Sequence, residues 1–94
     1  MSDMPDADRE ATRVMLVDDH RMFREGVASL LARAGDIVLI GEAATGEEAI
    51  QLAETLLPDI VLMDIKMPGM GGVEATRAIV TRSPHIGVIM LTMF

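Results

Sequence analysis

Four short apolar runs, residues 14–17, 37–43, 60–63 and 88–91, alternate along the chain with three stretches whose apolar residues recur at helical spacing. A continuous apolar run this short suits a strand covered on both faces, whereas a half-exposed strand would alternate apolar and polar residues. Strands separated by helices are joined by right-handed crossovers, so the pattern predicts an α/β fold with a mostly parallel sheet and helices on both of its faces.

The punctuation agrees with this order. Phe23, Val27, Leu30, Leu31 and Ala34 form the expected inner stripe of a first helix over residues 20–34, with Gly35 at the position of a C-terminal cap. Thr45 with Glu48 three residues on has the form of a capping box, and the second helix follows with Ile50, Ala53 and Leu57 facing inward until Pro58 ends it. The glycine- and proline-rich stretch 67–72 is a loop. Val73, Thr76, Ile79 and Val80 give a third helix its inner stripe, closed by Ser83 and Pro84. The second strand is the hardest to bound, because Gly41 interrupts it.

Composition narrows the function classes. Lys and Arg number 8 against 15 Asp and Glu, a net charge of −7, which argues against a nucleic-acid-binding surface on this piece. With 50% hydrophobic residues the chain can build a core, and without cysteine it has neither disulfides nor a thiolate metal site. No apolar stretch approaches the roughly 18 residues needed to cross a bilayer. Residues 1–12, acidic and aperiodic, are expected to form a flexible leader rather than a secretory signal, and 13–94 one small domain, by default cytoplasmic. A dinucleotide fingerprint fails because the sixth position after Gly69 and Gly71 is Glu74, and a P-loop is excluded because Lys66 is the chain's only lysine.

In an open parallel sheet, active groups collect at the carboxyl ends of the strands. Asp18 and Asp19 end the first run, Asp64 ends the third, and Thr92 follows the fourth. If the first and third strands are neighbours, as in the doubly wound order 2-1-3-4-5, three carboxylates converge and repel unless a cation neutralises them. Oxygen ligands of this kind select Mg²⁺. A carboxylate beside that ion is a plausible phosphoryl acceptor, with Thr92 positioned to donate a hydrogen bond. Plainer roles compete at each position: Asp19 as a helix cap, Asp64 as a turn residue, Thr92 as an ordinary strand residue, and His20 as a surface group near a helix start.

Val17, Asp18, Asp19 and His20, then Arg24, Glu25 and Gly26, Gly46 with Glu48 and Ala49, the run from Pro58 to Asp64 with Met67, Pro68 and Gly71, and finally Leu91 and Thr92 resemble the receiver domain of bacterial two-component response regulators. The resemblance spans about Arg13 to Phe94 and is greatest to the subfamily whose receivers precede a LuxR-type helix-turn-helix DNA-binding domain. It implies a flavodoxin-like doubly wound fold. It also implies that Asp64 accepts a phosphoryl group from a sensor histidine kinase, that Asp18, Asp19, Asp64 and the backbone carbonyl of Lys66 hold Mg²⁺, and that Thr92 is a switch hydroxyl. Such a protein is a phosphoacceptor rather than an enzyme and reaches DNA only through its output domain.

Two other functions remain open. A Mg²⁺-dependent phosphohydrolase would need a second acid two residues after its nucleophile at the end of the first strand, where position 20 is His20. A phosphorylation-independent interaction module would not need Asp64 at all. Family receivers continue past the hydroxyl residue with a fourth helix, a lysine-bearing fifth strand and a fifth helix, so the resemblance implies a truncated domain. An uncovered fourth strand is expected to draw the fragment into a homodimer or higher oligomer.

Overall fold

The computed structural model describes residues 11–91, so Thr92 and nearly all of the acidic leader lie outside the described residues. Seven elements follow in the expected order: β1 (Thr12–Val17), α1 (Arg21–Ala32), β2 (Ile37–Ala43), α2 (Gly46–Leu56), β3 (Ile60–Asp64), α3 (Gly72–Arg82) and β4 (Gly87–Leu91). All strand pairs are parallel and the sheet order is β2-β1-β3-β4. This is the flavodoxin-like arrangement, with β1 and β3 adjacent at its centre. No helix among the described residues is long and apolar enough to cross a membrane.

β1 begins at Thr12, inside the span expected of the leader, because the backbone there already has partners. Thr12 N–H donates to Asp36 O at 2.9 Å, and Arg13 N–H donates to the Asp59 carboxylate at 2.8 Å. The Arg13 guanidinium then reaches the carbonyls of Leu56 and Leu57 at 2.9 and 2.7 Å, satisfying the last turn of α2. One arginine thus fastens the start of β1 to the end of the helix that precedes β3.

The sheet's two faces are unequally covered. Met15, Val17, Val61 and Met63 point toward α2 and α3, where they meet Ala49, Ala53, Ala75 and Ile79 in the main core. Val14 and Leu16 alternate to the other face and are also buried, but α1, which packs there against β2, buries none of its own residues fully. Leu30, expected in the inner stripe of that helix, is 67% exposed. β2 carries a register shift at Ile40, and Gly41 just beyond it leaves room for Leu56, since a Cβ there would lie 2.7 Å from that side chain.

Other local expectations are corrected by backbone geometry. Gly35 has no left-handed backbone; α1 instead closes with Arg33 and Ala34 N–H groups bonding three residues back, to Leu30 and Leu31. Leu57 is not on the inner face of α2 but is its C-cap, in left-handed geometry at φ 49°, which turns the side chain out to solvent. Val73 is likewise exposed, because the buried stripe of α3 consists of Gly72, Ala75 and Ile79.

Candidate functional site: an acidic cluster at the carboxyl end of the sheet

β1 and β3 run parallel in register, Val17 opposite Met63, so the residues that leave their carboxyl ends emerge side by side. Asp18 is 0% exposed and Asp64 3%, both far below what a lone carboxylate tolerates without compensation. One ligand atom from each of Asp18, Asp19, His20 and Asp64 can be chosen so that all lie within 4.8 Å of one another. The three carboxylates singled out in the sequence are therefore brought together.

Their hydrogen bonds account for only part of their capacity. Asp18 Oδ1 accepts His20 N–H at 2.7 Å and lies 3.0 Å from His20 Nδ1. Asp64 Oδ1 accepts Lys66 N–H at 3.1 Å, so Asp64 does hold the turn after β3, as its plainer role required. Asp19 does not cap α1: the N-cap is His20, whose side chain makes no capping bond, and the first N–H groups of that helix receive nothing from Asp19. Asp18 Oδ2 and Asp19 Oδ1 are buried without a hydrogen-bond partner among the described residues.

Burial pushes the Asp64 carboxyl above the ordinary carboxylate range, and the neighbouring charges of Asp18 and Asp19 push the same way, while the Lys66 N–H opposes them. Two orphaned buried oxygens beside a third carboxylate form a donor set that a hard divalent cation would complete, and its all-carboxylate part fits Mg²⁺.

The scaffold holds this geometry through supporting contacts around the cluster. Arg24, one turn into α1, donates through Nη1 to the Asp18 carbonyl and through Nε to Glu42 at 3.3 Å, pinning the end of β1 to β2. Arg24 belongs to the motif that carries the family resemblance, and its place four residues after His20 puts it on the helix face turned to the strand end. Gly72 starts α3 so close to β3 that a Cβ would fall 2.1 Å from the Asp64 carbonyl oxygen. The capping box is realised with one change: Thr45 Oγ1 accepts Glu48 N–H at 3.1 Å, and Glu48 returns to Ala44 N–H at 2.7 Å rather than to that of Thr45. Lys66 has an exposed side chain, and its backbone sits beside Asp64.

Residues 14–94 match the response regulator receiver domain. The chain belongs to that family. Among curated relatives, the response regulator GacA of Pseudomonas viridiflava is 46% identical over 81 residues, covering 86% of this chain and 38% of that protein. The response regulator VraR of Staphylococcus aureus is 50% identical over 82 residues, covering 87% of this chain and 39% of that protein. The receiver chain therefore spans well under half the length of these relatives.

Among solved structures, a LuxR-family two-component response regulator from Aurantimonas sp. SI85-9A1 matches with a TM-score of 0.85 and 42% identity, over 89% of this chain and 60% of that one. The response regulator domain of Thermotoga maritima CheB matches with a TM-score of 0.83 and 34% identity, over 87% and 60%. Receiver domains are signalling domains that bind Mg²⁺ at an acidic pocket, and this receiver carries an aspartate cluster of that kind.

Proposed function

We propose that this receiver takes a phosphoryl group onto Asp64 from the phosphohistidine of a sensor kinase, in a Mg²⁺-dependent reaction, and thereby controls a DNA-binding output domain. The convergence of Asp18, Asp19 and Asp64, with two buried carboxylate oxygens unpartnered, is the observation that carries the proposal. Asp18, Asp19, Asp64 and the Lys66 carbonyl would hold the ion. When bound, Mg²⁺ supplies positive charge that offsets the carboxylates and the transferring phosphoryl oxygens.

The chain's own residues do the rest. An oxygen of Asp64 attacks phosphorus, the bond from phosphorus to the donor nitrogen breaks with its electron pair left on the imidazole, and Asp64 becomes an acyl phosphate. Lys66 N–H fixes the carboxylate's other oxygen, which orients the attacking one. Thr92 is assigned the switch hydroxyl that turns toward the new phosphoryl group and biases the surface between two partner-binding states. The receiver acts as a phosphoacceptor in the cytoplasm rather than as an enzyme. As a 94-residue chain it is also assigned self-association along β4, whose outer edge pairs with no strand among the described residues.

A structural relative described as a DNA-binding response regulator of the LuxR family, from Staphylococcus aureus and 32% identical, supports a DNA-binding output. The presence of His20 where a phosphohydrolase would carry its second acid disfavours that alternative. Incubation with Mg²⁺ and a small acyl phosphate, read by intact mass, tests the assignment: the native chain should gain one phosphoryl group and Asp64→Ala none. A gain that survives in Asp64→Ala would overturn it, and partner binding unaffected by Asp64→Ala would favour the interaction-module reading.

A further inference from the structure

The end of β1 is gripped from two sides by one short stretch of β2. Asp18 N–H donates to the Ala43 carbonyl at 3.1 Å, the Asp18 carbonyl accepts from Arg24 Nη1, and Arg24 Nε reaches Glu42 at 3.3 Å. Residues 42 and 43 thus hold residue 18 through its N–H directly and through its carbonyl by way of a guanidinium. The second grip depends on the irregularity in β2. Leu39 pairs with Val14 and Gly41 with Met15, so Ile40 is an extra residue. In an unshifted ladder Glu42 would lie opposite Val17 and share its face toward the main core. The extra residue places it opposite Leu16 instead, on the face where α1 packs.

The bond to the Asp18 carbonyl matters because of the peptide to which that oxygen belongs. The peptide joins Asp18 to Asp19 and is planar, so its direction fixes the last backbone torsion of one acid and the first of the other. The relative aim of the two carboxylates follows from it. Those carboxylates carry the two buried oxygens without a hydrogen-bond partner among the described residues. Among the same residues the guanidinium bonds none of the cluster's carboxylates, which leaves them open to a cation. The Arg24 side chain is 18% exposed, and its fork of donors serves two acceptors at once, as the single ammonium of a lysine does not.

We propose that Arg24, anchored by Glu42, is a positioning residue of this receiver's acceptor site, holding the peptide between Asp18 and Asp19 so that both carboxylates are aimed for Mg²⁺. The proposal rests on the assignment of Asp18, Asp19 and Asp64 as a cation site and adds what aims its ligands. The guanidinium acts through geometry and against its own charge. A positive group beside the site repels a cation, so by charge alone its removal would tighten Mg²⁺ binding. Loss of positioning has the opposite sign, because carboxylates free to turn must be ordered when the ion binds.

Titration of the purified chain with Mg²⁺, followed by backbone amide NMR, gives the affinity of each variant, and the cation-free spectra report on the peptide itself. In Arg24→Ala the Mg²⁺ affinity should fall about tenfold or more, and the Asp19 amide should show exchange broadening without the ion that the native chain lacks. Thr45→Ala, which removes the cap of α2 away from the cluster, controls for general loss of stability and should bind Mg²⁺ as the native chain does. Glu42→Gln and Glu42→Ala remove the same charge, but only glutamine keeps an acceptor for Nε, so Glu42→Ala should bind Mg²⁺ more weakly than Glu42→Gln. Glu42 is 41% exposed, so this pair leaves the core intact and carries the test if Arg24→Ala does not fold. Unchanged or tighter binding in Arg24→Ala overturns the proposal and leaves the cation site standing. Equal affinities in the two Glu42 variants overturn the role of Glu42 as anchor. Failure of the native chain to bind Mg²⁺ overturns the underlying site as well.

Discussion

Asp64 is buried beside two other carboxylates, and that placement sets its protonation. Its carboxyl sits above the ordinary value of 3.8, through burial first and then the charges of Asp18 and Asp19. The folded state therefore holds the Asp64 proton more tightly than the unfolded chain, so this residue's contribution to stability falls as pH rises from about 3.8 through the raised folded value. Above both values the ionised group destabilises the cation-free fold. Asp64→Asn is accordingly expected to raise the thermal midpoint near neutral pH without Mg²⁺. Added Mg²⁺ should stabilise the native chain more than the variant, and calorimetry with and without the ion checks both.

His20 is also shifted upward, but here the shift favours the charged form. The hydrogen bond to Asp18 and then the charge of Asp19 raise its pKa above the ordinary 6.5. A raised histidine stabilises the fold fully below its unfolded value, and that contribution is lost as pH rises through the folded value. The ring should therefore titrate above 6.5 by NMR in the cation-free chain and at lower pH in Asp19→Asn. An unchanged titration in that variant would mean that the ring does not feel the cluster.

Among the elements, α3 depends most on a single residue. A methyl group at Gly72 would overlap the Asp64 carbonyl, with the helix start and the strand end both unable to yield cheaply. Gly72→Ala should cost about 1–3 kcal/mol and impair phosphoryl acceptance by displacing Asp64. Gly26, in the middle of α1, is the internal control: a Cβ there meets nothing within 4 Å, so Gly26→Ala should stabilise by about 0.5–1 kcal/mol. Removing the Thr45 cap with Thr45→Ala should cost about 1 kcal/mol. Urea unfolding of the three variants measures these differences.

The same close approach explains which parts of the fold could be read from residues alone. The strands were legible because a parallel sheet covered on both faces demands unbroken apolar runs, and the cluster followed once Asp18, Asp19 and Asp64 were placed at strand ends. The rotation of α3 was not, because a stripe of Gly72, Ala75 and Ile79 carries little hydrophobic signal where Val73 carries more, and backbone proximity decided between them. Leu57 was misplaced for a related reason: helical periodicity does not reveal the left-handed turn that ends α2. His20 looked like a surface residue, and it is one, but the bond from its N–H to Asp18 brings the ring to the acids.

Over the whole molecule the covering of the sheet is uneven. α2 and α3 bury one face, whereas the other has α1 with no fully buried residue and leaves Ile89 of β4 51% exposed. β4 pairs only with β3 among the described residues. An apolar strand with a free edge offers a template to another chain. Light scattering coupled to size-exclusion chromatography should find the 94-residue chain associating with increasing concentration, and Ile89→Lys should weaken that association. A monomer at all concentrations would remove self-association from the proposed function.

The cation site itself joins these scales, since strand pairing, the Gly72 approach and the orphaned carboxylate oxygens all converge there. Titration with Mg²⁺ followed by backbone amide NMR tests it most directly. Saturable shifts should centre on Asp18, Asp19, His20, Asp64 and Lys66 and disappear in Asp64→Asn. Shifts confined to acids elsewhere, such as Glu47 and Glu48 at the start of α2, or no saturable response at all, would contradict the account.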